Sequence, residues 1–512
     1  MPFSTSLERM LDRLDAAKSQ FGSREHRELP RLLEAIGARR FPGAAALVRF
    51  HEALLFFRAY PPNREVLRAT DELLGSFATR IERLGKAGRD LSPFEEPDVS
   101  GIAGTAFSAI FSYDVARWLA ANRSSEVDID WEACDPALLG PLLMRLNPVY
   151  AEDGLVEANI PYREWFRASK RGRGSDLRWL MAAMVRRQIA PELFEHARLA
   201  LRWNLGNSAV TRTNVRLPDS RPIFYHDGPL IRRSAVSLAA ELESVPRRFE
   251  KLSRRRGQAM LDLFRATSAT RYRELHGFTY GDPAHMLRVE LGRGVEFYVA
   301  GVPPAHRLPL RAYHAGMFFK NAVPIGYIEC LTIFDRIEVG FNLYYTFREG
   351  ETAWLYARLL SVFRHLLGVS CFAVDPYQLG LHNDEAIDSG AFWFYRKLGF
   401  RPANPRVAKL LEREEATLRA DPTYRTPAAR LRRLAAGWML YEMPLTRSGD
   451  WDRFEIRRVA MRVEQPPFPA RMERAKRAAL ESVYVRQLQR ELQLRRSVIR
   501  LGSERSRDPA LR

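Results

Sequence analysis

The stretch Glu338-Val339-Gly340-Phe341-Asn342-Leu343-Tyr344-Tyr345-Thr346-Phe347 alternates with a period of two. Val339, Phe341, Leu343, Tyr345 and Phe347 fall on one side, and Glu338, Gly340, Asn342, Tyr344 and Thr346 on the other. Successive side chains of a strand point to opposite faces, so this pattern predicts a strand over 338–347 with one core face and one polar face. Toward the N-terminus, further strand-like runs lie at 295–300, 312–319 and 325–334, with 320–324 as the turn between the last two. Toward the C-terminus come a glycine-bearing turn, Arg348-Glu349-Gly350-Glu351-Thr352, and a helix over 352–367 with Leu355, Leu359, Leu360, Phe363 and Leu366 along one side. A buried strand follows at 369–374, ended by Asp375 and Pro376, and then a helix over about 389–398 that Gly399 closes. A strand at 438–443 is expected to return to the sheet. The pattern predicts an α/β fold with a mixed, mainly antiparallel sheet flanked by helices.

Within the last of these helices the run Asp388-Ser389-Gly390-Ala391-Phe392-Trp393-Phe394-Tyr395-Arg396-Lys397-Leu398-Gly399-Phe400 carries a spaced motif. It resembles the closing motif of the GNAT superfamily of N-acetyltransferases. Ala391, Tyr395, Gly399 and Phe400 match in register, and Asp388 stands where that family usually has Asn. The order of elements is similar too: a hairpin containing Gly326, a central strand, a turn and helix that hold the CoA pyrophosphate, a diverging strand and the Tyr-bearing helix. The resemblance spans 258–446, and no known family resembles the half before it.

The resemblance implies acetyl-CoA or another acyl-CoA as co-substrate, no metal, and an amine-bearing small molecule or protein as acceptor. It implies Tyr395 as the general acid that protonates the departing thiolate, and Glu338, at the start of the central strand, as general base. It implies that CoA lies along Tyr345, Thr346, Phe347, Arg348, Gly350, Glu351 and Thr352, with Asn383, Asp388 and Ala391 on the opposite side. A helix N-terminus suits pyrophosphate, because its free N–H groups and its dipole both favour an anion. The family's phosphate turn is Gln or Arg, two residues, Gly, one residue, then Gly or Ala. Here either Arg348 is one residue too close to Gly350, or Phe347 occupies the Gln/Arg position with Thr352 at the small one, and Glu349 and Glu351 add negative charge. Glu329 and His314 are weaker candidates for proton transfer.

Outside that region the sequence predicts helices. Thr5 and Glu8 have the spacing of a capping box, 41–60 reads as a second helix, and Asn63 is placed to cap a third. The segment 85–100 reads as a linker, so 1–95 is expected to be a helical unit, followed by a mixed, mostly helical region at 96–245 and the acyltransferase-like domain at 246–446. In the middle region 106–121 and 178–203 read as helices, and 127–131 and 222–225 as short β pieces. Ser169 to Ser175 reads as a solvated basic loop, and the polar cluster from Asn204 to Asn214 as turn chemistry. A basic helical extension is expected over 447–512, with 470–501 helical and its end, 503–512, disordered.

The 512 residues carry 80 Lys+Arg against 61 Asp+Glu, a formal charge of +19, and only eight of the 80 are Lys. Arg binds phosphate bidentately, yet an excess of Arg over Lys is also what a GC-rich genome writes throughout. Residues 401–512 carry 26 Lys+Arg and 14 Asp+Glu, so most of the excess lies beyond the Tyr395 motif. Nucleic acid is therefore retained as a partner only for an alternative reading, a catalytically degenerate scaffold that binds nucleic acid or protein through basic helices. Hydrophobic residues make up 46% and charged residues 28% of the chain, which excludes disorder of the whole. Three separated cysteines give neither a disulfide framework nor a zinc pattern. No run reaches the roughly 20 apolar residues of a spanning helix, and a cytoplasmic location is expected. There is no HExxH, P-loop or GxSxG motif.

Overall fold

In a computed structural model of the chain, residues 6–444 are described, other than 23, 147–160, 171, 219–221, 247 and 309–310. The expected basic extension over 447–512 lies outside them. Described residues of 1–229 and 260–279 form one compact unit, and those of 230–259 and 280–444 another.

The first unit begins with helices Leu7–Ala17, Leu29–Gly37, Ala44–Ala59, Arg64–Gly75 and Phe77–Lys86. Ser6, rather than Thr5, caps the first, its hydroxyl accepting from the Arg9 N–H at 3.3 Å. Asn63 caps Arg64–Gly75 as its position predicts, accepting from the Val66 N–H at 2.9 Å. The expected helix over 106–121 is instead β1 (Ala106–Ile110) followed by the helix Tyr113–Asn122. β2 is Val127–Ile129, and the expected helix over 178–203 resolves into helices Asp176–Arg186 and Pro191–Ala197 and then β3 (Ala200–Asn204). These three strands form an antiparallel sheet in the order β1-β3-β2, with Phe107 opposite Trp203. Pairing and burial of those aromatic residues outweigh the helix propensity of the alanines beside them. Residues 222–225 form no strand.

The second unit is built on a nine-stranded sheet. Its strands are β4 (Arg248–Lys251), β5 (Met286–Gly292), β6 (Val295–Gly301), β7 (Ala312–Lys320), β8 (Val323–Ile333), β9 (Arg336–Leu343), β10 (Cys371–Val374), β11 (Arg401–Pro402) and β12 (Met439–Glu442). Their order is β11-β12-β10-β9-β8-β7-β6-β5-β4. Neighbours are antiparallel except β9 and β10, which run parallel across the helix Thr352–Leu367. A crossover helix is what a parallel pair requires. β4 and β5 were not anticipated, although Leu287, Val289 and Leu291 alternate with Arg288 and Glu290.

Hairpin chemistry sets the register. Between β7 and β8 only Asn321 and Ala322 lie outside the strands, at φ 47° and 67°, the paired left-handed conformation of a two-residue turn. The central strand is shorter than its alternation implies. β9 ends at Leu343, and Tyr345–Phe347 form a 3-10 turn that buries Thr346 and Phe347 while the chain reverses into Thr352–Leu367. That helix ends on Gly368 at φ +69°, the left-handed cap that lets the chain turn back into β10.

Residues of one parity in β9 face this helix: Phe341 packs on Tyr356, the rings tilted and their centroids 5.1 Å apart, and Phe297 of β6 meets Phe363 at 6.4 Å. The other parity carries Arg288 bonded to Glu296, and Tyr313 donating to Glu329 at 2.6 Å.

Candidate functional site

β9 and β10 pair through Cys371 opposite Arg336, Phe372 opposite Ile337, and Ala373 opposite Glu338, and the pairing stops there. β9 continues for five more residues to Leu343, while β10 ends at Val374. Past Glu338, therefore, no backbone ladder joins the two strands. The 3-10 turn and the N-terminus of Thr352–Leu367 follow directly from the free end of β9.

Tyr395 is buried at 4% exposure, in an aromatic cluster with Tyr356 at 5.5 Å, Phe394 at 5.2 Å and Phe400 at 5.8 Å. Burial pushes its hydroxyl well above the usual tyrosine range, and the nearby Asp375 carboxylate adds to the shift. Such a phenol keeps its proton, which suits an acid rather than a base. The helix expected over 389–398 is Ala391–Lys397, and a further short helix, Asp384–Asp388, precedes it in the loop, the two separated where Gly390 takes φ +67°.

Glu338 is on the expected parity but is not a solvated strand end. It is buried and paired with the fully buried Arg336, whose Nη2 donates to Oε1 at 3.3 Å. Trp438 lies beneath that guanidinium at 5.3 Å. Glu329 is held by Tyr313. His314 packs on Phe363 at 6.1 Å, and burial lowers its pKa to about 4, so the ring is neutral.

The turn over 348–352, expected to hold phosphate, differs from its sequence reading in one respect. Glu351 is buried, its side chain making no capping bond to the helix that it precedes. Its carboxylate instead accepts from Arg293 Nε at 3.0 Å and from the Ile231 N–H at 3.0 Å, with Lys320 Nζ at 3.9 Å. Two cations and a backbone donor thus take up the charge of Glu351, which acts as a brace, while the Glu349 carboxylate stays at the surface. Phe347 and Thr346 are likewise buried, Phe347 as core. Tyr345, Arg348 and Glu349 are exposed, Gly350 and Thr352 are half-buried, and the Thr352 hydroxyl donates to the Arg348 carbonyl at 2.9 Å.

Asn383 is occupied as the cap of Asp384–Asp388, accepting from the Ala386 N–H at 3.2 Å while its amide donates to the Tyr377 carbonyl at 3.1 Å. Asp388 is exposed and Ala391 half-buried. Arg348 pairs with Glu385, so the turn after β9 and the segment 383–391 do meet. Sequence reasoning missed Lys320, a buried lysine whose pKa burial lowers to about 7, with Arg293 adding to the fall and Glu351 opposing it. It also missed Tyr356, which a helical pattern of leucines conceals.

In the first unit, the polar cluster 204–214 closes a buried network. Arg212 donates to both oxygens of Glu52 at 3.0 Å, His51 Nδ1 lies 3.2 Å from Glu52, and His51 Nε2 lies 2.9 Å from the Thr213 hydroxyl. Burial lowers the His51 pKa, so the neutral ring donates from Nδ1 to Glu52 and accepts from Thr213. The order hydroxyl, imidazole, carboxylate is that of a nucleophile relay, but every member is buried and the Thr213 oxygen also accepts from the Ala103 N–H at 2.9 Å. It acts as a brace between the helix Ala44–Ala59 and this turn.

Among the described residues no helix is long and apolar enough to cross a membrane. No protein-family model, curated protein or solved structure matches the chain.

Proposed function

We propose that the unit built on β4–β12 is an acyl-CoA-dependent N-acyltransferase of the GNAT kind, moving an acetyl or other acyl group from CoA to an amine on a small molecule or protein. Its main support is the parallel pair β9/β10, whose ladder ends at Ala373 opposite Glu338 and leaves the C-terminal half of β9 unpaired on that side. Unpaired backbone N–H and C=O groups there suit the amide-bearing arm of a CoA thioester. The turn beyond fits pyrophosphate, because Glu351 is withdrawn into Arg293 and Lys320, leaving exposed Arg348 beside the helix N-terminus.

In this reading the acceptor nitrogen attacks the thioester carbonyl, the C–N bond forms, the C–S bond breaks, and Tyr395 gives its proton to the sulfur. Glu338 lies on the opposite parity from Phe341 and would have to leave Arg336 to take the acceptor's proton. Cys134, Cys330 and Cys371 are buried free thiols, in keeping with a reducing cytoplasm as the compartment.

Isothermal titration with acetyl-CoA tests the proposal. Saturable binding below about 1 mM, weakened by salt, is the expected result. Absence of binding at millimolar ligand would leave the fold as a scaffold for nucleic acid or protein, the alternative that rests on the charge of 401–512 alone.

A further inference from the structure

Tyr356 lies on the helix Thr352–Leu367, is 0% exposed, and its hydroxyl meets no hydrogen-bond partner among the described residues. Its ring packs 5.1 Å from Phe341, 5.5 Å from Tyr395, 5.9 Å from Phe394 and 6.2 Å from Phe400. A buried hydroxyl without a partner has forfeited its bonds to water, and folded proteins rarely leave one so. Phenylalanine would fill the same place among these rings without that loss. The hydroxyl therefore calls for a partner that arises in another state of the site. Tyr395 is edge-on to it, at an interplanar angle of 73°, and retains a little accessible surface where Tyr356 has none. Tyr356 thus stands behind Tyr395.

We infer that Tyr356 is a positioning residue for Tyr395, its hydroxyl donating a hydrogen bond to the Tyr395 oxygen once that oxygen has lost its proton. The inference rests on the acyltransferase reading. When the C–S bond of the thioester breaks, its electron pair goes to sulfur, the Tyr395 proton follows, and the O–H pair remains on Tyr395 as a phenolate. The phenolate is reprotonated from solvent after CoA thiol leaves.

Phe341, Phe394 and Phe400 offer no donor. The other titratable groups acting on the two tyrosines are Asp375, after β10, on Tyr395 and Cys330, on β8, on Tyr356. Both are anionic when charged, so neither stabilises a phenolate. Burial, first, and then Tyr395 and Cys330 hold the Tyr356 hydroxyl far above the usual range, so it keeps its proton and serves as donor.

The test is Tyr356→Phe, which keeps the ring and removes only the hydroxyl, assayed as release of CoA thiol from acetyl-CoA with water or spermidine as acceptor. A fall in kcat of about 10- to 100-fold is expected, with KM for acetyl-CoA changed less than about twofold. Added to Tyr395→Phe it should cost nothing further, since the shared bond is already gone. Turnover within about twofold of the parent, or a loss that multiplies fully with that of Tyr395→Phe, overturns the assignment. A crystal structure with CoA supplies a measurement that needs no turnover: the two tyrosine oxygens are expected within hydrogen-bond distance, and a Tyr356 hydroxyl bonded to a buried water instead overturns it. A parent protein that neither binds nor cleaves acetyl-CoA removes the acyltransferase reading and this inference together. Binding and cleavage with a silent Tyr356→Phe remove the inference alone.

Discussion

Two buried polar sites, one in each unit, are handled differently. Around Arg212 three side chains pair off: Glu52 uses both oxygens, His51 both ring nitrogens, and the Thr213 hydroxyl also accepts from the backbone. Around Tyr395, by contrast, the Tyr356 hydroxyl is buried without a partner among the described residues. A closed network rigidifies, and leaves no valence for a substrate. An open one carries a standing cost, which a bond formed in another state of the site would offset. The relay-like order in the first unit thus marks a brace, and the plain aromatic cluster in the second marks the place to look for chemistry.

The sharpest way to break this comparison is Arg212→Ala. Removing one partner of a buried ion pair leaves Glu52 uncompensated and should cost about 3–5 kcal/mol in chemical denaturation, with acetyl-CoA affinity unchanged. Loss of CoA binding at full folding would mean that the network is functional after all. Next in size is Tyr395→Phe, expected to lower turnover about 100-fold, or roughly 2.7 kcal/mol, while leaving acetyl-CoA affinity within about twofold.

Lys320 tests whether the second unit also contains a closed brace. Its pKa is lowered in the folded chain to about 7 from 10.5, so above the folded value the unfolded chain binds a proton that the folded chain does not. Stability should therefore rise with pH between these two values, by up to about 1.4 kcal/mol per unit, and the slope should be absent below them. Urea midpoints of the parent and Lys320→Met at pH 7 and pH 9 check this. Equal slopes in the two proteins would show that the lysine is not buried as described. The smallest effect is expected from Arg348→Ala: its ion pair with Glu385 is exposed and contributes little to stability, about 0–1 kcal/mol. Acetyl-CoA affinity should fall about three- to tenfold at low salt and hardly at all at high salt.

Much of the second unit was legible because period-two alternation and turn residues are local signals. The runs at 295–300, 312–319, 325–334 and 338–347 correspond to β6, β7, β8 and β9, with ends moved by a few residues. β5 was missed although its alternation was present, and β1 was read as helix because Ala-rich residues favour helix until a partner strand claims them. Asn383 and Glu351 were misplaced for a different reason: a polar side chain beside a loop can cap, brace or bind, and only the position of its partners distinguishes these.

The sequence by itself determined the order of sheet, turn, helix and following strand, and the spacing of Ala391, Tyr395, Gly399 and Phe400. Both follow from residue periodicity along the chain. Only the tertiary structure decided that the ladder between β9 and β10 ends at Glu338, that Glu351 turns into Arg293 and Lys320, and that Tyr356 stands unpartnered behind Tyr395. Those facts depend on contacts between residues far apart in sequence, where desolvation and pairing fix what a charged or hydroxyl group can do, and no local pattern encodes them.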